Sequence, residues 1–405
     1  MLLPYVLFLM VLLASSAAGH AAALRAYLMH VDSGRGFTNR QLLRRMAAQS
    51  LARIDSRCPA PGRGANAHPV PHPWPHAAPV ARGADAGHRS DIAWMQCFCQ
   101  VCFQQPFPTI NTSASSTVHG VSWFDPVCAQ GGLALSGCTI RSNICFYTYF
   151  FGCLARSPSP HRRQQAPRGK ARTVSPRCQK LRFGCGMFYT GLFGSNESGI
   201  AGFDRGSLSL PSQLKVARFS YCFTSMVDSR TSPVFLGTPD DLQAQATGPI
   251  QSTLFAPGLD SMKYYLSLKG ITVGKTQLPF NASTFVFKGN GSGGTMIDSD
   301  LSIMKFPWAV FLSIVEKFKV KVPLPSDIVA GMLCFSVPHK KKAPAMPKMI
   351  LHLDDADWDL PRENYVLDVD IGDDDDGTCV QQNTHIVYDL ESNKLVFVPA
   401  RCDQL

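Results

Sequence analysis

No stretch of this chain is apolar for long enough to cross a bilayer as a helix, which takes about 20 residues. The longest apolar run lies at the start, from Met1 to about Leu13, and small residues follow it from Ala14 to Ala23. That order is the pattern of a signal peptide, expected over residues 1–23, and the apolar run is too short for a membrane span. Acids are also scarce: 29 Asp and Glu stand against 39 Lys and Arg, for a net charge of +10. Between Arg156 and Arg182 there is no acid at all. No aromatic residues interleave with those bases, so nucleic acid is not expected as a partner. No Gly-x-Ser-x-Gly elbow occurs, and in the linear sequence His352 and His385 stand near no obvious nucleophile. Cys97, Cys99 and Cys102 crowd together, but no second pair follows at a zinc spacing. The glycine-rich Gly289–Gly294 stretch precedes a strand-like run rather than a helix, which rules out a phosphate loop. The acidic run Asp373–Asp376 lacks the glycine and glutamate placement of an EF-hand. Neither a metal nor a cofactor is expected.

What is present fits a lumenal, disulfide-bonded protein. Fourteen cysteines suit an oxidising compartment. Asn-x-Ser/Thr sequons stand at Asn111, Asn196, Asn281 and Asn290, so glycosylation is expected there. The destination is the secretory pathway, either the extracellular space or the vacuole. At 405 residues the chain is long enough for two lobes. Short Val, Ile, Phe and Tyr runs punctuated by Gly, Pro and Asn point to a mainly β fold. The best helix candidate is Pro307 to Val320, with Phe311, Ile314, Val315 and Phe318 on one side.

Upstream, Thr38 caps an amphipathic basic stretch from Asn39 to Ile54, expected to be a prosegment helix. Residues 58–89 are rich in Pro, Ala, Gly and His. Prolines 69, 71, 73 and 75 forbid the helix that would align His68, His72 and His76, so this is a linker and not a metal site. The expected division is residues 24–89 as prosegment and linker, 90–245 as the first lobe and 246–405 as the second. Residues 154–180 form a basic, irregular insert with the composition of a disordered loop. Read-through of an intron would leave the same composition.

The run Gly293-Gly294-Thr295-Met296-Ile297-Asp298-Ser299-Asp300 has two glycines, a short apolar strand and an aspartate with a hydroxyl neighbour at the strand's end. Tyr264 to Gly274 stands upstream at a spacing that suits a neighbouring strand. Further stretches are Trp94 to Cys102, Cys145 to Tyr149, Phe183 to Gly186, Gly199 to Leu214, Phe219 to Phe223, Leu360 to Tyr365, and Tyr388 through Cys402. In this order the chain resembles the plant nepenthesin-type, pepsin-like aspartic endopeptidases over most of residues 90–153 and 181–405. The resemblance implies two β-rich lobes related by a pseudo-two-fold, acting as a monomer on proteins or peptides held between them. It also implies the disulfides Cys222–Cys402 and Cys334–Cys379.

Acid hydrolysis by such a site needs two aspartates sharing one proton. The resemblance gives Asp298, followed by Ser299, as the second-lobe aspartate, and Ile200-Ala201-Gly202 as the supporting loop of the first lobe. The first half-site should precede Ser90, where Gly87-His88-Arg89 stands instead. Asp85, in Asp85-Ala86-Gly87, lies nearby and is a weak candidate. Asp300 takes the place of a glycine, Phe151-Gly152-Cys153 replaces the Tyr-Gly-Asp of the flap, and the last supporting loop after Cys379 is absent. The first lobe is therefore incomplete. The expectation is a family member with lost or impaired catalysis. Three rivals remain: a working enzyme pairing Asp85 with Asp298, a non-catalytic peptide- or protein-binding pseudoprotease, and a chain that does not fold stably.

Overall fold

The computed structural model describes residues 5–8, 24–30, 36–37, 41, 91–101, 109, 111–112, 114, 118–122, 124–129, 136–138, 145–147, 152–156 and 181–188, and from residue 199 all but 225–230, 240–241, 259, 289–292, 300–303, 330, 339–342 and 367–382. The expected prosegment helix, apart from Gln41, and the linker lie outside these residues, as does the basic run beyond Arg156 up to residue 180.

The strands that position the site are β1 (Tyr5–Phe8), β2 (Leu24–His30), β3 (Trp94–Val101), β4 (Gly152–Arg156), β5 (Arg182–Phe188), β6 (Gly199–Ile200), β7 (Arg218–Cys222) and β8 (Ser232–Leu236). The second half supplies β9 (Gln251–Leu254), β10 (Tyr265–Leu266), β11 (Gly270–Val273), β12 (Thr295–Met296), β13 (Met349–His352), β14 (Asp357–Asp359), β15 (Thr384–Asp389) and β16 (Lys394–Pro399). A seven-stranded sheet in the order β1-β2-β8-β7-β15-β16-β9 joins the two halves. Its centre is the antiparallel pair β7–β15, with Phe219 opposite Tyr388 and Tyr221 opposite Ile386. On one side of that seam lie strands from the first half, and on the other strands from the second, which is how a pseudo-two-fold looks within a sheet.

Aromatic residues hold the seam. Phe219 stacks on Tyr388 at 4.5 Å, and Tyr264 meets Tyr388 edge-on at 4.7 Å. The buried phenols of Tyr221 and Tyr388 share a hydrogen bond of 3.1 Å, so neither hydroxyl is stranded in the core. The disulfide Cys222–Cys402, with Cα atoms 5.2 Å apart, ties the end of β7 to the chain's last turn. Cys379, the expected partner of Cys334, lies outside the described residues.

In the first half, β5 pairs with β3 in parallel and with β4 antiparallel, and the disulfide Cys97–Cys185 pins β3 to β5. A second disulfide joins Cys128 to Cys145. Leu154, Ala155 and Arg156 belong to β4, so the stretch expected to be irregular starts later than its composition implied. In the second half, helix α1 (Trp308–Lys321) buries Val310, Ile314, Val315 and Phe318. Phe311 stays half-buried against Trp308, because Val310 occupies the core side of that turn.

His385 of β15 lies opposite Cys222 in the sheet and is fully buried. Its Nε2 meets Ser220 Oγ at 2.9 Å, and its Nδ1 has no partner among the described residues. Burial pushes its pKa down to about 4. The unfolded chain therefore takes up this proton near pH 6.5, whereas the folded chain does so only near pH 4. Between those values the unfolded state binds more protons, and stability falls as pH drops. At about 1.4 kcal/mol per pKa unit the loss is roughly 3 kcal/mol, complete by about pH 4. Denaturant titrations at pH 7 and pH 4.5 on wild type and His385→Gln test this. The variant should lose clearly less on acidification, and an equal loss would assign the effect elsewhere.

Candidate functional site

The strand β12 pairs with β10, Tyr265 opposite Met296, a pairing that the spacing of the two runs suits. The chain then turns, and the Ile297 N–H donates to the Tyr264 carbonyl at 3.0 Å. Ile297 fills the core, and Asp298 and Ser299 are buried at the strand's end. Asp298 stands close enough to the seam for its charge to act on the phenol of Tyr388, whose ionisation is suppressed first by burial and further by its neighbours. The Ser299 hydroxyl is buried and has no hydrogen-bond partner among the described residues.

The loop that begins Ile200-Ala201-Gly202 lies against the start of β3. A side chain at Gly202 would meet the Asp91 carbonyl oxygen at 2.1 Å, so only glycine permits this approach. The rest of the loop closes around Asp91. The Leu208 N–H donates to Asp91 Oδ2 at 3.1 Å, and a side chain at Gly206 would run into the same carboxyl. Asp91 Oδ1 has no partner among the described residues. Burial pushes the Asp91 carboxyl up, the Leu208 N–H opposes this, and the charge of Asp204 adds to the rise. Asp91 thus faces its own loop. Sequence reasoning missed it, because its partners lie more than a hundred residues away.

The same loop reaches the second half. Asp204 Oδ2 accepts from Lys263 Nζ at 2.7 Å in a nearly dry pair. The Arg205 guanidinium lies over the rings of Phe255 at 4.7 Å and Tyr264 at 4.8 Å, and donates to Asn393 at 2.9 Å. The Tyr264 hydroxyl donates to the Phe203 carbonyl at 3.0 Å. One loop of the first half is therefore clamped to the segment that precedes the Asp298 strand.

Of the residues singled out from sequence, Asp298, Ser299, Ile200, Ala201 and Gly202 are described. Asp85, Phe151 and Asp300 lie outside the described residues, and Gly152 belongs to β4. Asn111 and Asn281 are exposed, while Asn196 and Asn290 lie outside the described residues. Among the described residues no cluster of His, Cys, Asp and Glu suits a metal, and no helix is long and apolar enough to cross a membrane.

Comparison with known proteins agrees with this architecture. Residues 79–238 match the family model of the xylanase inhibitor N-terminal domain, and residues 263–373 match that of the C-terminal domain. Aspartic proteinase nepenthesin-1 of Nepenthes gracilis is 31% identical, the match covering 93% of this chain and 89% of that protein. Nepenthesin-2 of the same plant is 29% identical, over 94% of this chain and 90% of its own length. Among solved structures, basic 7S globulin from soybean superposes with a TM-score of 0.53 at 18% identity, covering 77% of this chain and 87% of that one. The structure of edgp gives the same TM-score at 16% identity, with the same coverage.

Proposed function

The chain belongs to the nepenthesin-type family of pepsin-like aspartic proteinases and has their mainly β, two-lobed fold; from that premise we propose that it binds peptide or protein segments between its lobes without cutting them. The observation that carries this is in the sequence, where Gly87-His88-Arg89 stands in place of the first half-site's aspartate. Asp91, just beyond it, accepts from the Leu208 N–H and faces the 202–208 loop. The matching family models are described as halves of an inhibitor, a protein that binds another.

One aspartate cannot be both the base for water and the acid for the carbonyl, so Asp298 alone lacks half of the mechanism. The second reading is a working acid endopeptidase with Asp85 as the partner, which the proteinase relatives favour. Incubating the purified chain with a denatured protein substrate near pH 4, with and without pepstatin, decides between them. We expect no pepstatin-sensitive cleavage. Acid proteolysis abolished by Asp298→Asn would overturn the proposal, and Asp85→Asn would then identify the partner.

The setting we infer is the secretory pathway, as a monomeric glycoprotein; removal of residues 1–23 as a signal peptide would take β1 from the edge of the seven-stranded sheet and leave β2 there. Asn281 is compatible with a glycan. Its side-chain oxygen accepts from the Ser283 N–H at 3.1 Å, while its nitrogen, where a sugar would attach, takes no part in that cap.

A further inference from the structure

The sheet formed by β11, β13 and β14 places Gly270 opposite His352, Thr272 opposite Ile350, and His352 opposite Asp357. Thr272 also lies opposite Gln277. Directly opposed residues share a face, as do residues two apart on one strand. Gly270, Thr272, Gln277, His352 and Asp357 therefore stand on one side of the sheet. There Thr272 Oγ1 and His352 Nε2 are 2.7 Å apart, and His352 Nδ1 and Asp357 Oδ1 are 2.6 Å apart. An ionised carboxylate only accepts, so the neutral ring carries its hydrogen on Nδ1 and accepts the Thr272 hydroxyl hydrogen at Nε2. That is the tautomer a general base requires.

The surroundings go beyond a ladder of hydrogen bonds on a sheet. Gln251 clamps the backbone of Asp357 from both sides, donating to its carbonyl at 2.7 Å and accepting from its N–H at 2.9 Å. A Cβ placed at Gly270 would lie 3.1 Å from Gln277 Nε2 and 3.7 Å from His352 Cδ2. An amide donor and the imidazole thus both close in on the Gly270 backbone, on the face that carries Thr272. The side chains of His352 and Asp357 are 26% and 68% exposed, so small molecules reach the line from solvent.

We propose that Thr272, His352 and Asp357 form a hydrolytic site, separate from the cleft, that accepts acyl groups from small activated esters. The Thr272 oxygen attacks the ester carbonyl carbon and passes its proton to His352 Nε2. The developing oxyanion faces the Gln277 amide, and Asp357 holds the imidazolium. Collapse breaks the bond to the leaving oxygen, which takes the proton from His352, leaving an acyl-Thr272 ester. Water, deprotonated by His352, then releases the carboxylic acid and restores the hydroxyl.

The test uses the full-length protein with 4-nitrophenyl acetate near neutral pH and with pepstatin present, so the result is independent of the cleft. We expect a burst of nitrophenol and, by mass spectrometry of quenched wild-type protein, an acetyl group on Thr272. Thr272→Val and His352→Ala should each cost at least about 10²-fold in rate, the lower range for general-base catalysis. Thr272→Ser should restore turnover, which separates lost chemistry from lost folding. Absence of acetyl-Thr272 in the wild type overturns the proposal, whether or not any variant folds. Undiminished hydrolysis by a folded Thr272→Val protein does so too.

Discussion

Replacing both partners of the Cys222–Cys402 disulfide with alanine should cost about 5 kcal/mol, the largest single loss expected in the second half. The bridge closes a loop of 180 residues, and the chain-entropy relation puts a cross-link of that span near this value. Native packing adds to the cost, since Cys222, Ala400 and Cys402 form one small buried cluster with Leu405 against it. Denaturant unfolding of the oxidised double variant beside wild type measures the difference. A loss under about 1 kcal/mol would mean that the pairing of β7, β15 and β16 holds the C-terminal turn without the covalent tie. Substituting both cysteines together avoids a free thiol that would exchange with the remaining bridges.

The elements that sequence revealed are those whose partners lie close by or whose signal is periodic. The glycine pair, apolar run and aspartate at residues 293–298 announce a strand that ends in a carboxylate, and the upstream run from Tyr264 stands at a spacing that suits its neighbour, though the register of Tyr265 with Met296 shows only in the fold. The helix at Trp308–Lys321 shows in its spacing, but Val310 and Phe311 exchange roles because one residue of phase decides which side chain meets the core. Three features had no local signal. Asp91 reads as an ordinary strand-entry residue until the loop at 202–208 closes over it. Thr272 and His352 are 80 residues apart, and only sheet register makes them neighbours. His352 and Asp357, five apart, read as a hairpin, because cross-strand pairing looks the same whether or not chemistry follows. Long-range register is not encoded in any window of sequence, so sites of this kind surface only once the fold is known.

Substituting Lys263 with methionine should destabilise the fold near pH 7, because it removes one cation bonded to the Asp204 carboxylate in a nearly dry site. The side chains of Asp204 and Lys263 are 1% and 12% exposed, so water screens the pair little. In the wild type burial works against ionisation of Asp204, and nearby positive charge, Lys263 included, still holds its carboxyl below the usual range. That pair therefore stabilises the fold above the unfolded carboxyl pKa of about 4, and the contribution is lost as pH falls through the lower folded value. Without Lys263 one of the charges that lower this pKa is gone, so the ionised carboxyl contributes less to the stability of the variant. The gap between wild type and Lys263→Met should accordingly be widest near pH 7 and shrink toward pH 4. Denaturant titrations at both pH values measure it, and adding Asp204→Asn to the variant should recover part of the loss at pH 7. A gap that stays constant with pH would place the cost in lost packing of the lysine stem instead. The consequence for the site is direct, since Asp204 and Arg205 anchor the loop that covers Asp91 to the segment leading toward Asp298.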